Sequence, residues 1–416
     1  MDYKNTCQAE NILLTGASGV LGGRLAAELL RSTTAMIYCI SRGDDIEAAR
    51  QKILKVLNVY DSKEELIDEH WRLIPVLGNM SEANFSFAET DYNDLAQSID
   101  LVFHCAANVS LMAAYEKLKP TNVDGTRRII DFCLTAQAPL MFVSSYSVIG
   151  DQLYHECTLQ ENQLDIGQNF EELGYEKSKF EAESLLHQAS DEGLHWAIVR
   201  PGNIWGDSET GAYPLFETRV KGIYYEMIKS LIDTGYTYSS DESFDVTPVD
   251  YVAKATLFIA LNIHRTVYKT FHLTNPNTLN FNQLVACIRD NGYTIRELDD
   301  EEYFSALYED RMVVDGTPYR STFTDLLSMF VDDDLIELGK WDTTDVLALL
   351  EKTDIQCPLA DKKLFSTYLN YAVDRGLIPN VKEQKLAKIT EEMETKIFMQ
   401  HLYDEDLSGS AALANT

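Results

Sequence analysis

Two short motifs in this chain carry groups that could do chemistry. Residues 15–22 read Thr-Gly-Ala-Ser-Gly-Val-Leu-Gly, and residues 175–179 read Tyr-Glu-Lys-Ser-Lys. The first has the glycine spacing of a strand-to-helix turn that cradles a phosphate. The second places a phenol and an ammonium four residues apart, on one face of a helix. Either motif alone is weak. Together, in this order and about 160 residues apart, they indicate hydride transfer between a nicotinamide cofactor and a carbonyl carbon.

The glycine motif predicts how a dinucleotide would be held. Gly16 permits the tight turn, Gly19 lets the backbone approach a pyrophosphate, and Gly22 lets the helix pack close to the sheet. The helix that begins here offers free N–H groups and a partial positive charge to the anion. An ordinary glycine-rich turn is the alternative. The residues of the turn expected to contact the cofactor are Gly16, Ser18, Gly19, Val20 and Leu21.

The residues after the second predicted strand favour NADPH over NADH. An acidic side chain there would bind the ribose 2′-hydroxyl of NAD, but this chain has Ser41 followed by Arg42. A guanidinium can pair with the 2′-phosphate of NADPH instead. The alternative is that Arg42 is a solvated loop charge. Nearby acidic residues weaken the NADPH assignment and nearby basic residues support it. These neighbours are Asp44, Asp45, Arg50 and Lys52.

The strand that precedes Tyr175 and Lys179 supports a catalytic role for these two residues. An ammonium beside a phenol is expected to lower the pKa of the phenol, which would make Tyr175 a better proton partner for a carbonyl oxygen near neutral pH. Ser144 and Ser145 stand at the end of a predicted parallel strand and could hydrogen-bond the same oxygen. Open α/β sheets bind ligands at this edge. A Tyr-x-x-x-Lys pattern on its own usually marks a helix surface, and its context argues against that alternative here.

Two further polar residues lie near the predicted strand ends and helix starts. His104 ends a predicted strand and is interpreted as a packed or hydrogen-bonded histidine, because the sequence offers no partner residues for a metal. Asn122 is predicted to stand at the head of a helix. There it would either cap the helix or hold a water in a proton relay, and the sequence does not decide between the two.

Composition and charge exclude several classes of function. The chain has 416 residues with 35 basic and 66 acidic side chains, which gives a net charge of −31. Such a chain repels nucleic-acid backbones and anionic lipids, so neither is expected as a partner. No apolar stretch reaches the roughly 18 residues that would predict a membrane span, and the amino-terminal residues lack a signal-peptide pattern. Seven cysteines that occur singly argue against disulfides and a zinc site and favour a cytoplasmic protein.

Alternating apolar strands and amphipathic helices predict an α/β fold. Strands are expected at 11–15, 35–41, 73–77, 101–104, 140–145, 196–200 and 270–273, and helices at 21–31, 46–60, 123–137, 175–188, 216–232 and 246–261. This alternation is typical of a doubly wound, Rossmann-type parallel sheet that is covered on both faces.

The same pattern predicts how the chain is divided. Residues 1–205 plus about 244–275 are expected to form the NADP-binding Rossmann domain. Residues 206–243 plus 276–405 are expected to form a smaller, helix-rich substrate lobe. The last residues, 406–416, are predicted to be a disordered tail.

The motifs resemble the extended short-chain dehydrogenase/reductase superfamily from residue 11 to about residue 293. The matching segments are TGASGVLG at 15–22, HCAANV at 104–109, NVDGT at 122–126, VSSYSVIG at 143–150, GYEKSKFEAE at 174–183 and RPGNIWGDSETG at 200–211. The last two, with PVDYVA at 248–253 and FHLTNP at 271–276, are most similar to the thioester reductase branch. That branch includes terminal reductase domains of nonribosomal peptide and polyketide synthetases, carboxylic acid reductases and aminoadipate reductases.

The resemblance implies roles for particular residues. Ser145 matches the superfamily's Ser/Thr, Tyr175 its tyrosine, and Lys179 the lysine that positions the nicotinamide ribose. Ser145 replaces the threonine that is frequent in thioester reductases, but the hydroxyl is retained. The family often has Gly-Asp after the third strand. This chain has the amide of Asn79 in place of that carboxylate. The further residues implied to face the cofactor are Asn79 and Met80 near the adenine, Ala106 and Ala107 at a strand end, and Pro201, Asn203 and Ile204 against the nicotinamide.

The resemblance also implies a reaction and a partner. NADPH would deliver hydride to the carbonyl of an acyl or peptidyl thioester on the phosphopantetheine arm of a carrier protein. Ser145 and Tyr175 would stabilise the resulting oxyanion. The thiohemiacetal would collapse to thiol and aldehyde, and a second hydride could give the alcohol. The alternatives are a fatty acyl-CoA reductase, a nucleotide-sugar epimerase or dehydratase, and a non-catalytic dinucleotide-binding module.

Overall fold

Strands and helices alternate along the chain in a computed structural model of the protein, which describes residues 9–110, 113–150, 158–215, 222–241, 243–299, 301–303, 305, 340–387 and 390. The strands are β1 (Asn11–Thr15), β2 (Met36–Ser41), β3 (Leu73–Leu77), β4 (Leu101–His104), β5 (Leu140–Val143), β6 (Thr158–Leu159), β7 (Trp196–Pro201), β8 (Ile204–Trp205), β9 (Tyr236–Thr237), β10 (Ser243–Phe244), β11 (Thr247–Pro248), β12 (Lys269–Leu273), β13 (Leu279–Asn280), β14 (Arg296–Glu297) and β15 (Lys340–Trp341). The helices are α1 (Val20–Ser32), α2 (Ile46–Tyr60), α3 (Glu89–Ser98), α4 (Tyr115–Asn122), α5 (Asp124–Ala136), α6 (Gly174–Ala189), α7 (Ile223–Thr234), α8 (Val249–Leu261), α9 (Ile263–Thr266), α10 (Phe281–Asp290), α11 (Thr344–Leu350) and α12 (Lys362–Asp374).

Seven of these strands form one parallel sheet, in the order β12-β7-β5-β4-β1-β2-β3. From β1 the chain adds β2 and β3 on one side and then β4, β5, β7 and β12 on the other. The winding reverses between β1 and β4, and open sheets of this kind bind ligands in the crevice at that switch point. Thr15 and His104 are register partners at the carboxyl ends of the two strands. This topology confirms the predicted doubly wound, Rossmann-type fold.

Helices cover the sheet in two groups. Helix α1 packs against α2 and α8, and α3, α4, α5 and α6 form the second group. The core beneath the second group joins Leu13 and Phe142 of the sheet to Ile129 of α5 and Leu186 of α6, all fully buried. Because both faces are covered, the strands are apolar along their length, as the sequence predicts for a parallel sheet.

The chain divides into two compact units. Unit 1 comprises Met1–Gly222, Glu242–Leu279 and Asp332–Ala360, and unit 2 comprises Ile223–Asp241, Asn280–Val331 and Asp361–Thr416.

The units differ from the predicted domains in where residues 206–215 and 340–360 belong. The prediction assigned them to the second lobe, whereas both belong to unit 1. Strand β15 pairs there with β6, and the buried carboxylate of Glu161 accepts hydrogen bonds from the backbone N–H groups of Asp345 and Val346 at the start of α11. These contacts span more than 180 positions, so no local pattern in the sequence could have indicated them.

In its described part, unit 2 contains helices α7, α10 and α12, of which α10 packs against α12, and the short parallel pair of strands β9 and β14. The rings of Tyr225 and Tyr368 meet edge to face at 6.1 Å. The buried side chain of Gln384 donates to the carbonyl oxygen of Ile232 at 2.9 Å. The tail predicted at 406–416 lies outside the described residues.

Three predicted elements need correction. The strand predicted at 140–145 ends at Val143, because the chain turns into a 3-10 helix at Tyr146–Ile149. The helix predicted at 246–261 begins at Val249, because the two residues before it pair with β8 as strand β11. Of the helix predicted at 216–232, residues 216–221 lie outside the described part of the chain, and α7 begins at Ile223.

Candidate active site

The turn between β1 and α1 leaves no room for a side chain at two of its glycines. Gly16 has a φ of +80°, and a Cβ there would come within 2.8 Å of the backbone nitrogen of Ala106. The N–H of Gly19 donates to the carbonyl oxygen of Gly16 at 2.8 Å, and a Cβ at Gly22 would overlap that same carbonyl. Close backbone packing therefore requires glycine at 16 and 22.

The amino end of α1 fits the pyrophosphate of a dinucleotide. Gly19 precedes the first helical turn and offers no side-chain acceptor to its N–H groups. Helix N–H groups left in this way, together with the helix dipole, bind anions. Ser18 and Gly19 are exposed and Val20 is half-buried, whereas the side chain of Leu21 belongs to the core. What this turn offers to a ligand is thus mainly backbone.

A buried hydrogen-bond chain supports the strand ends behind this turn. The hydroxyl of Thr126 donates to a backbone carbonyl one turn earlier, so it accepts from Nε2 of His104 at 3.1 Å. Nδ1 of His104 then accepts from the hydroxyl of Thr15 at 2.7 Å, and that oxygen accepts from the N–H of Ala106 at 3.1 Å. Burial, with Lys179 nearby, lowers the pKa of His104 to about 3. His104 is therefore a neutral, hydrogen-bonded histidine that places Ala106 and, after it, the half-buried Ala107.

Arg42 stands exposed directly after β2. Its carbonyl oxygen accepts a hydrogen bond from Nζ of Lys52 at 2.9 Å, which ties the loop to α2. Asp45 caps α2 by accepting from the backbone N–H of Ala48 at 2.7 Å, so this carboxylate is occupied by the helix. Within the described ranges the guanidinium of Arg42 forms no ion pair, which leaves it available to an anion.

The segment after β3 is a tight, strained loop. The side-chain oxygen of Asn79 accepts from the N–H of Ser81 at 3.1 Å, and its own N–H donates to the carbonyl oxygen of Phe85 at 2.9 Å. Residues 84–86 have positive φ values of 48°, 58° and 69°. Met80 is buried, and its carbonyl oxygen accepts from Arg128 at 3.0 Å. Since its oxygen is already used, the amide of Asn79 can offer a base mainly its NH2 group.

The structure brings Ser145 and Tyr175 together. Ser145 follows β5 and caps the 3-10 helix, with its hydroxyl 2.8 Å from that of Ser147. Tyr175 stands in the first turn of α6, and the hydroxyl of Ser145 lies near enough to the phenol to oppose the rise in its pKa. Two hydroxyl groups from different elements therefore face one point at the carboxyl edge of the sheet. Such paired donors can stabilise an oxyanion.

Lys179 lies in the same place but acts differently from the expectation. Its buried Nζ donates to the carbonyl oxygen of Val143 at 2.7 Å and lies 4.5 Å from the ring centre of Phe142. Burial lowers its pKa to about 8, with Glu183 opposing that shift. The pKa of Tyr175 is raised to about 12, mainly by burial and by Glu176. The pKa of the phenol is therefore raised by burial and not lowered as expected, and Lys179 is not among the groups that shift it.

Ser144 differs from its neighbour. Its backbone N–H continues the sheet by donating to the carbonyl oxygen of Val199 at 2.8 Å. Its hydroxyl is buried and has no hydrogen-bond partner among the residues that the structure describes. Of the two serines that the sequence offered, Ser145 is the one whose hydroxyl affects the pKa of Tyr175.

The turn between β7 and β8 is held by residues that sequence reasoning missed. The N–H of Asn203 donates to Oδ2 of Asp245 at 2.6 Å, and its side-chain oxygen accepts from the phenol of Tyr146 at 2.7 Å. Burial raises the pKa of Asp245 to about 6. Pro201 ends β7, and Ile204 opens β8 beside β11. A phenol directly after Ser145 was the available signal for Tyr146, whereas nothing local marks Asp245.

Asn122 does not stand at the head of a helix, because it ends α4. Its side-chain oxygen accepts from the N–H of Asn108 at 2.7 Å, and its NH2 group donates to the carbonyl oxygen of Asn108 and to the hydroxyl of Ser178. That hydroxyl donates to the carbonyl oxygen of Tyr175. The predicted position at the head of a helix is therefore wrong, and with it the cap. Asn122 instead ties the loop after β4 to the first turn of α6.

Sequence comparison assigns the chain to a known family. Residues 14–256 match the family model described as male sterility protein, an NAD-binding family. The chain belongs to the male sterility protein family. Curated relatives include a linear gramicidin synthase from Brevibacillus parabrevis, 29% identical over 89% of this chain and 7% of the relative, and an L-2-aminoadipate reductase from Penicillium chrysogenum, 28% identical over 73% and 22%. This member of the family thus spans well under half the length of those relatives.

Solved structures agree with the family assignment. The terminal R domain from the myxalamid PKS-NRPS biosynthetic pathway superposes with a TM-score of 0.79 at 31% identity, covering 89% of this male sterility family chain and 92% of that domain. A reductase (R) domain of a nonribosomal peptide synthetase from Mycobacterium tuberculosis shares the fold, with a TM-score of 0.70 at 24% identity over 90% of this chain and 94% of that one. The predicted resemblance and the predicted type of enzyme, a nicotinamide-dependent reductase, are confirmed at the level of the family. Across the described residues, no helix is long and apolar enough to cross a membrane.

Proposed function

We propose that this chain is an NADPH-dependent reductase that releases an acyl or peptidyl group from a carrier protein as an aldehyde. The observation that carries the proposal is the nearness of the Ser145 hydroxyl to the Tyr175 phenol, beside the buried Lys179, on a sheet whose glycine turn fits a pyrophosphate. Likeness to a terminal R domain supports the choice of a thioester as substrate.

Bound NADPH would supply the hydride that reduces the thioester carbonyl carbon. The chain's own part is to bind the carbonyl oxygen as negative charge develops on it. The hydroxyl groups of Ser145 and Tyr175 would donate to this oxygen, and losing one such donor costs about 3–4 kcal/mol of barrier. Because the pKa of Tyr175 is raised to about 12, the phenol keeps its proton at neutral pH and remains a donor.

The reaction balances without another reactant. One thioester, one NADPH and one proton give one aldehyde, one thiol and NADP⁺. The C–S bond breaks when the thiohemiacetal oxygen reforms a carbonyl, and the proton goes to the departing thiolate. The product of one turnover is the aldehyde; a second hydride would give the alcohol by the same use of Ser145 and Tyr175.

The cofactor choice and the partner are parts of the same proposal. The free guanidinium of Arg42 after β2 would pair with the 2′-phosphate of NADPH. A carrier protein with a phosphopantetheine thioester would be the partner. A structural neighbour supports this choice, because it is a thiolation-reductase di-domain of an archaeal nonribosomal peptide synthetase. Free, buried thiols such as Cys39 and Cys133 suit the reducing cytoplasm.

The proposal is tested with the purified chain and two kinds of substrate. We expect NADPH absorbance to fall when an acyl-pantetheine thioester is added, with one trapped aldehyde for each NADPH consumed in the first turnover. A nucleotide sugar, the substrate of the epimerase alternative, should cause no change. Turnover of the nucleotide sugar without turnover of any acyl-pantetheine, or NADPH binding without turnover of either, would contradict the proposal.

A further inference from the structure

We propose that Tyr146 is a positioning residue for the cofactor-facing turn at residues 201–204, and that Trp341 holds Tyr146 in place. This inference rests on the proposed function, in which that turn lies against the cofactor. Neither Tyr146 nor Trp341 is assigned a contact with the reacting atoms. Both act through Asn203.

Asn203 is held at three of its four polar groups. Its N–H donates to Asp245 at 2.6 Å, its carbonyl oxygen accepts from the N–H of Thr247 at 3.1 Å, and its side-chain oxygen accepts from the phenol of Tyr146 at 2.7 Å. In the part of the chain that the structure describes, the remaining NH2 group has no protein partner. Because a phenol donates better than it accepts, Tyr146 sets which way the amide points. The NH2 group is thereby directed away from Tyr146 and stays available to a ligand.

Tyr146 is itself held from a distant part of the sequence. The indole Nε1 of Trp341 donates to the carbonyl oxygen of Tyr146 at 2.9 Å, across 195 positions of chain. The two rings lie 4.6 Å apart between centres. Trp341 also packs against a small apolar cluster that includes Val148 and Leu159. The direction of the phenol is thus fixed from two sides before any ligand binds.

The hydroxyl of Tyr146 does little for the fold itself. Its removal leaves the ring contact with Trp341 and the cluster around Val148 unchanged, and Asp245 still holds the backbone of Asn203. Burial raises the pKa of the Tyr146 phenol, so it donates at any working pH. What the hydroxyl supplies is the orientation of one side-chain amide in a turn that follows β7. A loss there should be seen in ligand binding more than in stability.

The test compares the NADPH dissociation constant of four full-length proteins by fluorescence titration: the natural chain, Tyr146→Phe, Asn203→Ala and the double variant. We expect Tyr146→Phe to raise the constant about 5- to 10-fold, the effect of one hydrogen bond, with a melting temperature within about 3 °C of the natural chain. The double variant should bind no more weakly than Asn203→Ala, because the phenol acts through that residue. Trp341→Phe, which keeps a ring but loses the indole donor, should show a smaller loss in the same direction.

Two exposed residues provide matched controls. Tyr268→Phe and Trp71→Phe change the same residue types at positions that are 45% and 65% exposed, and both should bind NADPH within about twofold of the natural chain. An unchanged constant in Tyr146→Phe would overturn the inference, as would effects of Tyr146→Phe and Asn203→Ala that multiply in the double variant. A loss that merely follows the melting temperature would show that the phenol is structural. Since none of these readouts uses a thioester, the outcome is separate from that of the proposed reaction.

Discussion

The glycine turn and the carboxyl edge of the sheet, where the strands end near Ser145, are built in different ways. The turn is made by close backbone contacts, which leave no room for a Cβ at Gly16 or Gly22. The edge is made by polar side chains that come from far apart. Glu183 pairs with Arg200 in full burial, and Trp341 reaches Tyr146 across 195 positions. We therefore expect the turn to lose cofactor binding when a side-chain atom is added. We expect the edge to lose activity or stability when a partner side chain is removed.

Tyr175→Phe should have the largest effect. The phenol is a proposed donor to the developing oxyanion, so its loss should lower the rate of aldehyde formation about 10³-fold. NADPH should still bind, because the glycine turn is untouched. Steady-state turnover of an acyl-pantetheine and a fluorescence titration of NADPH measure the two effects. Aldehyde formation at the natural rate would remove Tyr175 from the mechanism.

Glu183→Gln tests the edge by removing a partner. It leaves the guanidinium of Arg200 buried without its carboxylate, which should lower the free energy of unfolding by about 3–5 kcal/mol. Replacing both residues, as Glu183→Leu with Arg200→Met, should recover most of this loss. The matched control is Glu192→Gln in the exposed pair with Arg127, where about 0–1 kcal/mol is expected. Urea denaturation measures all of these, and equal losses in the two single variants would contradict the distinction.

Gly16→Ala tests the turn by adding one carbon. The new Cβ would lie 2.8 Å from backbone atoms of the neighbouring strand end, at a φ that side chains rarely adopt. We expect the NADPH dissociation constant to rise about 100-fold or more. The control is Gly193→Ala, which has a φ of +96° with nothing within 4 Å of a Cβ, so it carries the backbone strain without the overlap. If both variants bound NADPH equally well, close packing at Gly16 would not matter.

The pH dependence of folding stability provides a further test of the edge, through the buried carboxylate of Glu161. Burial raises the pKa of Glu161 from its ordinary value of 4.5 to about 7, although three backbone N–H groups oppose the shift. The folded state therefore holds a proton that the unfolded chain releases, and its stabilising effect is complete below 4.5 and is lost as the pH rises to about 7. The stability of the natural chain relative to Glu161→Gln should thus fall by about 2 kcal/mol between these values. A difference that did not change with pH, measured by denaturation at several pH values, would contradict this assignment.

Arg42→Ala should have the smallest effect. It should weaken cofactor binding at the turn and leave the edge unchanged. It removes one charge-assisted contact to the proposed 2′-phosphate, so the NADPH dissociation constant should rise about tenfold. NADH lacks that phosphate and serves as the internal control. Equal losses for the two cofactors would place the phosphate elsewhere.

The difference between the two regions also explains what could be predicted. The glycine turn, the strand ends and the pairing of Ser145 with Tyr175 follow from local spacing and from the order of strands in a parallel sheet. Asp245, Glu161 and Trp341 could not be found in this way, because each acts on residues far away in sequence. The expected pKa of Tyr175 is wrong for a related reason. Lys179 is four residues away, but the burial that decides the shift comes from the whole fold.

The return of residues 340–346 to unit 1 has a consequence for how the protein is made. A ribosome releases the chain from its amino end, and early segments can begin to fold during synthesis. Seven parallel strands are complete once β12 has emerged, yet Glu161 and Tyr146 then still lack Asp345 and Trp341, which follow some seventy residues later. The nascent sheet should therefore acquire its dinucleotide turn well before its reactive edge is sealed.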